Sequence, residues 1–393
     1  MTYEVLLMKG SDGNGIRVFD DSFIVGTAWS DPDAIIVRSQ PVDTDKYKKL
    51  FAVARAGAGV DAITVEKATK RGIAVFNTPG SNANAVAELV FIMIGLYARN
   101  VSGALRFVQS FAQFMGTDEE IRAYIEKGKS NYTGFELVGK TLGVIGLGNI
   151  GLRVANRGLL YGMRVVGYDS LPTVANMHQL DARVEIVHRL EDVVSCADIV
   201  SVHVPLMSST RNLIGENEIG CMKRGVILMN YAREGIYNDA AVLASLASHH
   251  VRAYLTDFPT HTLIGNDSVV CTPHLGASTV ESTEKSFRMA ADKIRDYLMY
   301  GVVSHSVNFP TVAVMPRRST KTRITVVNRD VPKMISKITR TLGAAGVNIQ
   351  SMTNESNGVI GYNVIDVDVP VSDNVITMIE RVKDVLRVRM ISL

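Results

Sequence analysis

The sequence predicts an α/β protein built from two Rossmann-like, doubly wound lobes and a C-terminal ferredoxin-like βαββαβ domain. Apolar β-type segments alternate with helical ones over most of the chain, which is typical of parallel sheets. A glycine-rich turn at 146–151 joins an apolar strand to a helix. After residue 320 the predicted order becomes strand, helix, strand, strand, helix, strand. A chain of 393 residues is long enough for two or three domains.

The first lobe is predicted from short apolar segments separated by loops and helical stretches. These segments lie at residues 3–8, 34–37, 51–55 and 73–76. A helix near Asn84 is expected to carry the chain into the second lobe, and a long helix near 281–300 is expected to bring it back. We therefore place the first lobe at 1–84 and 283–305, the second at 85–282, a linker at 306–320 and the last domain at 321–393.

The second lobe contains the most specific motif of the chain, GKTLGVIGLGNIG at 139–151. Gly146 allows a tight turn, Gly148 leaves bare backbone for a pyrophosphate, and Gly151 lets the helix pack closely on the strand. Unpaired N–H groups at the start of a helix favour an anion. A dinucleotide is expected to contact Gly146, Gly148, Asn149, Ile150 and Gly151.

The strand after this helix specifies the dinucleotide. It runs from Arg164 to Tyr168 and delivers Asp169 at its end. A carboxylate at this place hydrogen-bonds a ribose 2′-hydroxyl and repels a 2′-phosphate. The sequence therefore predicts NAD as the cofactor.

Two side chains at strand ends are suited to hydride-transfer chemistry. Oxidation of a hydroxy acid needs a base for the hydroxyl proton and a cation for the carboxylate. His274 follows the apolar segment 269–271, and Arg233 follows the segment 226–229. Both are expected at the edge where a doubly wound sheet binds its ligand. For each residue alone, a surface histidine and a solvated loop arginine are the alternatives.

The composition excludes several classes of protein. A net charge of +3, with basic residues scattered along the chain, does not indicate a nucleic-acid or membrane surface. A 47% hydrophobic share excludes a disordered chain. Three cysteines without a CxxC pair argue against a disulfide framework or a zinc site. We therefore expect no metal and a cytoplasmic location.

Six motifs make the chain similar to the D-isomer-specific 2-hydroxyacid dehydrogenases. They are RAGAGVDAI at 55–63, NTPG at 77–80, GKTLGVIGLGNIG at 139–151, VHVPL at 202–206, NYAREG at 230–235 and TPHLGAST at 272–279. The resemblance implies that His274 is the acid–base and that Arg233 binds the substrate carboxylate and carbonyl oxygen. It also implies cofactor contacts at His203, Val204, Pro205, Thr210, Ala232 and Asp257.

Within that family the chain resembles the members that act on 3-phosphoglycerate, which bind the substrate phosphate with arginines of the first lobe. Arg38 and Arg55 match those positions. Two guanidinium groups on neighbouring strand ends suit the oxygen atoms of a phosphate, and ordinary surface charges are the alternative. The other expected substrate contacts are Ser39, Ala58, Gly59 and Asn84.

One segment departs from the family pattern. Such enzymes usually carry an Asp that contacts the cofactor and, five residues later, a Glu that contacts the catalytic histidine. A gapless match puts Thr256 and His261 at these positions. Asp257, one place along, is the candidate that orients His274, because an imidazole without a carboxylate partner loses orientation and basicity.

The last domain resembles an ACT domain, a module that binds amino acids and pairs with a second copy. The NRDVPK loop at 328–333 carries Lys333 where a glycine is usual. The candidate effector residues are Asn328, Asp330 and Asn348.

The resemblance implies NAD-dependent oxidation of 3-phospho-D-glycerate to 3-phosphohydroxypyruvate, the first step of serine biosynthesis. A glyoxylate or hydroxypyruvate reductase, or another D-2-hydroxyacid dehydrogenase, is the first alternative, and a non-catalytic NAD-sensing binding protein is the second. The expected partners are a small phosphorylated 2-hydroxy acid and an amino-acid effector, with no nucleic acid or membrane. A homodimer or homotetramer is expected, because the apolar helix at 85–98 and the edge of the last sheet offer pairing surfaces.

Overall fold

The computed structural model describes residues 2–8, 17–60 and 62–393. The chain divides into two compact units, residues 1–82 together with 280–393, and residues 83–279. The sequence-based boundaries, after residues 84 and 282, lie within three residues of these. Residues 306–393, which the sequence analysis treated as a linker and a separate domain, belong to the same compact unit as the first lobe.

The first lobe contains a five-stranded parallel sheet. Its elements are β1 (Tyr3–Leu7), β2 (Phe23–Gly26), β3 (Ala34–Val37), β4 (Ala52–Arg55), α1 (Val65–Lys70) and β5 (Ala74–Phe76). The strand order is β2-β1-β3-β4-β5, and all neighbouring pairs are parallel. The carboxyl ends of β3 and β4 therefore lie side by side at one edge of the sheet. The sequence analysis did not predict β2, a strand of only four residues.

The second unit begins with helices. These are α2 (Ala83–Ala98), α3 (Val101–Gln109) and α4 (Asp118–Gly128). The strands and helices that follow are β6 (Thr141–Ile145), α5 (Gly151–Leu160), β7 (Arg164–Tyr168), α6 (Val174–Met177), β8 (Glu185–Val187), α7 (Leu190–Cys196), β9 (Ile199–Val202), α8 (Glu216–Gly220), β10 (Val226–Asn230), α9 (Asp239–Ala247), β11 (Val251–Thr256) and β12 (Val269–Cys271).

These seven strands form one parallel sheet with the order β12-β11-β10-β9-β6-β7-β8. The order reverses between β6 and β9, and such a reversal opens a crevice at the carboxyl ends of the strands. All residues of β6 and β9 are buried because this parallel sheet is covered on both faces. Among the described residues, no single helix is long and apolar enough to cross a membrane, and only the pair α2 and α3, bent by 62°, passes that test together.

A 21-residue helix, α10 (Val280–Tyr300), returns the chain to the first unit and packs on β3 and β4. The C-terminal domain follows with β13 (Thr322–Arg329), α11 (Met334–Ala344), β14 (Ser351–Ser356), β15 (Ile360–Val367), α12 (Asp373–Glu380) and β16 (Val385–Ser392). Its antiparallel sheet has the order β14-β15-β13-β16, which is the ferredoxin-like arrangement. The predicted fold class is therefore confirmed. The second strand of this domain begins at residue 351 rather than at the predicted 347.

Candidate active site

The turn after β6 shows why three positions are glycine. Gly146 has a φ of +90°, and a Cβ there would lie 2.8 Å from Cγ1 of Val204 and 2.9 Å from the backbone carbonyl of His203. A Cβ on Gly151 would lie 1.8 Å from the carbonyl oxygen of Gly146, so α5 could not start so close to the turn. Nothing lies within 4 Å of a Cβ placed on Gly148. The open, bare turn at the start of α5 fits the approach of a pyrophosphate.

The carboxylate of Asp169 fixes the other side of this turn. Its Oδ2 accepts a hydrogen bond from the backbone N–H of Leu147 at 2.7 Å, and its Oδ1 accepts one from the N–H of Leu171 at 2.8 Å. Each carboxylate oxygen has a further lone pair, so the group can still accept from a ribose hydroxyl. Asn149 is exposed and Ile150 is half-buried in the same turn.

His203 follows β9 directly, at the reversal point of the sheet. Its Nε2 lies 2.8 Å from Oγ of Ser201, and its buried Nδ1 has no hydrogen-bond partner among the described residues. Burial lowers the pKa of the His203 imidazole to about 3, so the ring is neutral near pH 7. The loop that continues through Val204 is closed by Thr210, whose Oγ1 donates to the carbonyl of Pro205 at 2.6 Å.

Arg233 lies in a loop that a buried amide holds after β10. Asn230 is 2% exposed, and its Nδ2 donates to the carbonyl of Arg233 at 2.9 Å. Its Oδ1 accepts from the N–H of Ala232 at 3.2 Å. The half-buried guanidinium of Arg233 donates through Nη1 to the carbonyl of Ala232 at 2.8 Å. A guanidinium has four further N–H groups, so this contact leaves donors for a carboxylate.

Asp257 holds the loop that carries His274, but not through the imidazole. The residue is 1% exposed, and its carboxylate accepts from Oγ1 of Thr272, the N–H of Leu275 and the N–H of Gly276, each at 2.7 Å. Its backbone carbonyl accepts from the N–H of His274 at 3.1 Å. In the described part of the chain, the carboxylate forms neither a hydrogen bond nor an ion pair with the imidazole. The expectation of a direct contact is therefore corrected.

The backbone of His274 is strained and its ring is exposed. The residue has a φ of +55°, a conformation that costs free energy for any residue except glycine. Its ring packs against Phe258, with centroids 4.9 Å apart. Thr256, at the usual cofactor position, is buried and donates to the carbonyl of Asn230 at 3.2 Å. His261, at the usual Glu position, lies on an exposed turn. The only sign of the role of Asp257 in the sequence was that a carboxylate directly follows Thr256, where the family pattern is broken.

Asn84 is occupied by neighbours in its own unit. Its Nδ2 donates to Oε1 of Glu88 at 2.7 Å, and its Oδ1 accepts from the guanidinium of Arg157. Asn82, two residues earlier, differs because its buried Oδ1 has no partner among the described residues. The sequence analysis named only Asn84, because both residues occur in the polar stretch SNAN and burial alone distinguishes them.

The first lobe brings Arg38 and Arg55 together at the edge of its sheet. Arg38 follows β3 directly, and Arg55 is the last residue of β4. The Nε of Arg55 donates to the carbonyl of Arg38 at 2.9 Å. The Nη1 of Arg38 donates to Oγ1 of Thr283 in α10.

The remaining candidates of the first lobe lie in the loops beside these arginines. Ser39 is exposed after Arg38, and Gly59 is half-buried in the loop after β4. The carbonyl of Ala58, in the same loop, accepts from Nδ2 of Asn77 at 2.6 Å.

The C-terminal domain has a cavity of about 420 Å³ beside the start of α11, and Asn328, Asp330 and Lys333 line it. The amide of Asn328 is engaged, since Nδ2 donates to the carbonyl of Arg329 and Oδ1 accepts from Nδ2 of Asn363, both at 2.7 Å. Lys333 keeps a φ of +73°, the left-handed conformation that glycine adopts readily. Asn348, the third candidate, is exposed on the loop after α11 and is not part of the cavity lining.

The sequence comparisons agree with this geometry. Residues 103–276 match the NAD-binding domain of the D-isomer-specific 2-hydroxyacid dehydrogenases. The D-3-phosphoglycerate dehydrogenase of Escherichia coli is 31% identical over 88% of this chain and 82% of its own length. The chain belongs to the D-isomer-specific 2-hydroxyacid dehydrogenase family. It carries the NAD-binding domain of that family, as the turn after β6 and Asp169 predicted.

Two other relatives show the range of names within the family. The D-3-phosphoglycerate dehydrogenase of Methanocaldococcus jannaschii is 34% identical over 72% of this chain and 53% of its own length. The hydroxypyruvate reductase of Thermotoga maritima is 38% identical over 64% of this chain and 80% of its own length. The chain thus spans about half the length of several curated relatives that it matches.

The solved structures show the same dehydrogenase architecture. The NAD⁺-bound 3-phosphoglycerate dehydrogenase of Entamoeba histolytica superposes with a TM-score of 0.60 at 26% identity. The match covers 78% of this chain and 99% of that chain.

Proposed function

We propose that the chain is an NAD-dependent dehydrogenase that oxidises 3-phospho-D-glycerate to 3-phosphohydroxypyruvate, the first step of serine biosynthesis. The observation that carries the substrate is the pair Arg38 and Arg55, which adjacent parallel strands deliver to one edge of the first lobe. A phosphate group offers several strong acceptor oxygens, so a pair of guanidinium groups suits it. A substrate with an uncharged hydroxymethyl group in place of the phosphate would form no ion pair with either guanidinium.

The second unit supplies the groups for the reaction itself. The turn at Gly146–Gly151 and Asp169 would hold NAD, which would supply the hydride acceptor for C2 of the substrate. The hydroxyl proton of the same carbon passes to the imidazole of His274, so that the C–O bond becomes a carbonyl. Arg233 holds the substrate carboxylate with a guanidinium that the Asn230 loop keeps in place. In the reverse direction His274 returns the proton to the oxygen.

Asp257 acts as a positioning residue in this proposal. Its carboxylate and backbone carbonyl hold four groups of the segment 272–276, which keeps His274 in its strained conformation. The imidazole is then oriented by its backbone and by the ring of Phe258. The remaining cofactor contacts are assigned to His203, Val204, Pro205, Thr210 and Ala232.

For the C-terminal domain we propose an ACT-like role, with an amino-acid effector in the cavity lined by Asn328 and Asp330. The proposed assembly is a homodimer or homotetramer. Its support is the exposed apolar surface of the helices at the start of the second unit, where Ile92, Leu105 and Val108 are 55%, 57% and 51% exposed. The three cysteines are unpaired, which supports a reducing compartment such as the cytoplasm.

The substrate is tested by offering 3-phosphohydroxypyruvate, hydroxypyruvate, glyoxylate and pyruvate with NADH and recording the loss of absorbance. The proposal expects the highest kcat/KM for 3-phosphohydroxypyruvate. A higher value for hydroxypyruvate or glyoxylate would instead support a reductase, which the name of the Thermotoga relative favours. Binding of NADH without turnover of any of the four would support a non-catalytic NAD sensor.

A further inference from the structure

The guanidinium of Arg38 has a fixed partner within its own unit. Its Nη1 donates to the hydroxyl oxygen of Thr283, in the first turn of α10. The two residues are separated by 245 positions in the sequence, so only the fold brings them together. A long flexible side chain at a strand end is thereby restricted at its charged end.

The backbone of Arg38 is held as well. Its carbonyl accepts from Nε of Arg55 at 2.9 Å. This bond ties the planar guanidinium of Arg55 to the backbone of Arg38. The two candidate phosphate ligands therefore form one connected unit.

Thr283 itself lies on a rigid support. Ser286, one turn along α10, is buried, and its Oγ donates to Oγ of Ser81 at 2.8 Å. Further along, Nζ of Lys293 donates to the carbonyl of Asn77 at 2.9 Å. The apolar face of α10 also packs on β3 and β4, the strands that deliver the two arginines. The hydroxyl of Thr283 is thus fixed relative to the edge of the sheet.

We propose that Thr283 is a positioning residue that sets the preference for a phosphorylated substrate, by holding the guanidinium of Arg38 in the orientation that meets the phosphate. This inference rests on the proposed function. The hydrogen bond to Thr283 already restricts the rotamers of Arg38 in the free protein. The arginine therefore loses less conformational entropy when it binds the phosphate. The rest of the substrate does not involve this bond, so its effect is confined to the phosphate.

The matched variants are Thr283→Val, which removes the hydroxyl at nearly constant shape, and Thr283→Ser, which keeps it. For Thr283→Val we expect KM for 3-phosphohydroxypyruvate to rise about tenfold, as for loss of a hydrogen bond to a charged group. Its kcat should stay near the wild-type value, and KM for hydroxypyruvate should not change. Thr283→Ser should restore KM. The inhibition constant of inorganic phosphate, used as a probe, should rise with KM in the valine variant only.

Equal changes of KM for both substrates would overturn the inference, because a loosened lobe would affect both. No change of KM for 3-phosphohydroxypyruvate would overturn it as well. Thr283→Ala serves as the second variant if the valine does not fold. A wild-type enzyme with no preference for the phosphorylated substrate would remove the proposed function and this inference with it. A wild type with that preference, retained in both valine and alanine variants, would remove the inference alone.

Discussion

Two buried aspartates hold two different segments, and they do so with different partners. Asp257, in the second unit, accepts from neutral donors, namely one hydroxyl and two backbone N–H groups. Asp366, in the C-terminal domain, forms a bidentate ion pair with Arg323 at 2.7 and 2.8 Å. Arg323 is fully buried and donates in addition to the carbonyls of Tyr300 and Val314.

The two aspartates serve different purposes. Asp257 holds a loop that leaves a side chain exposed, whereas Asp366 belongs to a buried junction within the first unit. The hydroxyl of Thr272 and two backbone N–H groups fix the path of residues 272–276 and leave His274 exposed. The guanidinium of Arg323, by contrast, uses its donors inside the protein and joins the C-terminal sheet to the end of α10. Arg389 adds to this junction by donating to the carbonyls of Tyr297 and Leu298 at 3.1 and 2.8 Å. These carbonyls belong to the last turn of α10, which carries partial negative charge.

The largest expected effect is on kcat, at the exposed residue His274. Replacing His274 with Asn removes the proton acceptor, and kcat should fall by about 10²–10⁴. The affinity for NADH and the free energy of unfolding should change little, because the ring is exposed. Stopped-flow single turnovers with 3-phosphohydroxypyruvate measure the chemical step. A rate within threefold of the wild type would show that another group transfers the proton.

At the buried ion pair, Arg323→Met should lower the free energy of unfolding by about 3–5 kcal/mol, because it leaves Asp366 as an unpaired buried charge. The double variant Arg323→Met, Asp366→Leu should recover much of this loss. Chemical denaturation followed by circular dichroism measures both. If the single variant is as stable as the wild type, the ion pair does not secure the junction.

Asp257→Asn tests whether the contacts of Asp257 with residues 272–276 serve catalysis. An amide keeps one acceptor oxygen but replaces the other with a donor, so it cannot serve all three of its partners. Displacement of His274 by about 1 Å would lower kcat by about 10²-fold. Asp239→Asn, which alters the acceptor of a hydrogen bond from Thr260 elsewhere in the same unit, is the control. Equal kcat for the two variants would argue against a positioning role.

A smaller effect is expected from pH, at a third buried polar group. The pKa of His203 is lowered from its ordinary value of 6.5 to about 3 by burial. The unfolded chain therefore binds a proton below pH 6.5 while the folded chain does not, so stability falls as pH drops from 6.5 towards 3. Between pH 6.5 and pH 5 the loss should be about 2 kcal/mol. In His203→Gln the free energy of unfolding should depend less on pH between 6.5 and 5. Urea unfolding at several pH values measures this, and the same pH dependence as in the wild type would contradict the assignment.

Local features of the site could be predicted from the sequence, whereas contacts between distant segments could not. The roles of Gly146 and Gly151 depend on a turn of a few residues, and they follow from spacing alone. The partners of Asp257 lie 15 to 19 positions away in a loop whose path the sequence does not reveal. The arginines of β16 alternate with apolar residues, a pattern compatible with a solvent-facing edge. Arg389 instead contacts α10 and stacks over the ring of Phe51 in the first lobe.

The central claim is that Arg38 and Arg55 select a phosphorylated 2-hydroxy acid for the reaction in which His274 carries the proton. The direct test is the ratio of kcat/KM for 3-phosphohydroxypyruvate to that for hydroxypyruvate, in the wild type and in Arg38→Leu and Arg55→Leu. We expect a wild-type ratio of about 10² or more, since each charge-assisted bond contributes a few kcal/mol, and a ratio near unity when both arginines are replaced. A wild-type ratio at or below unity would contradict the account.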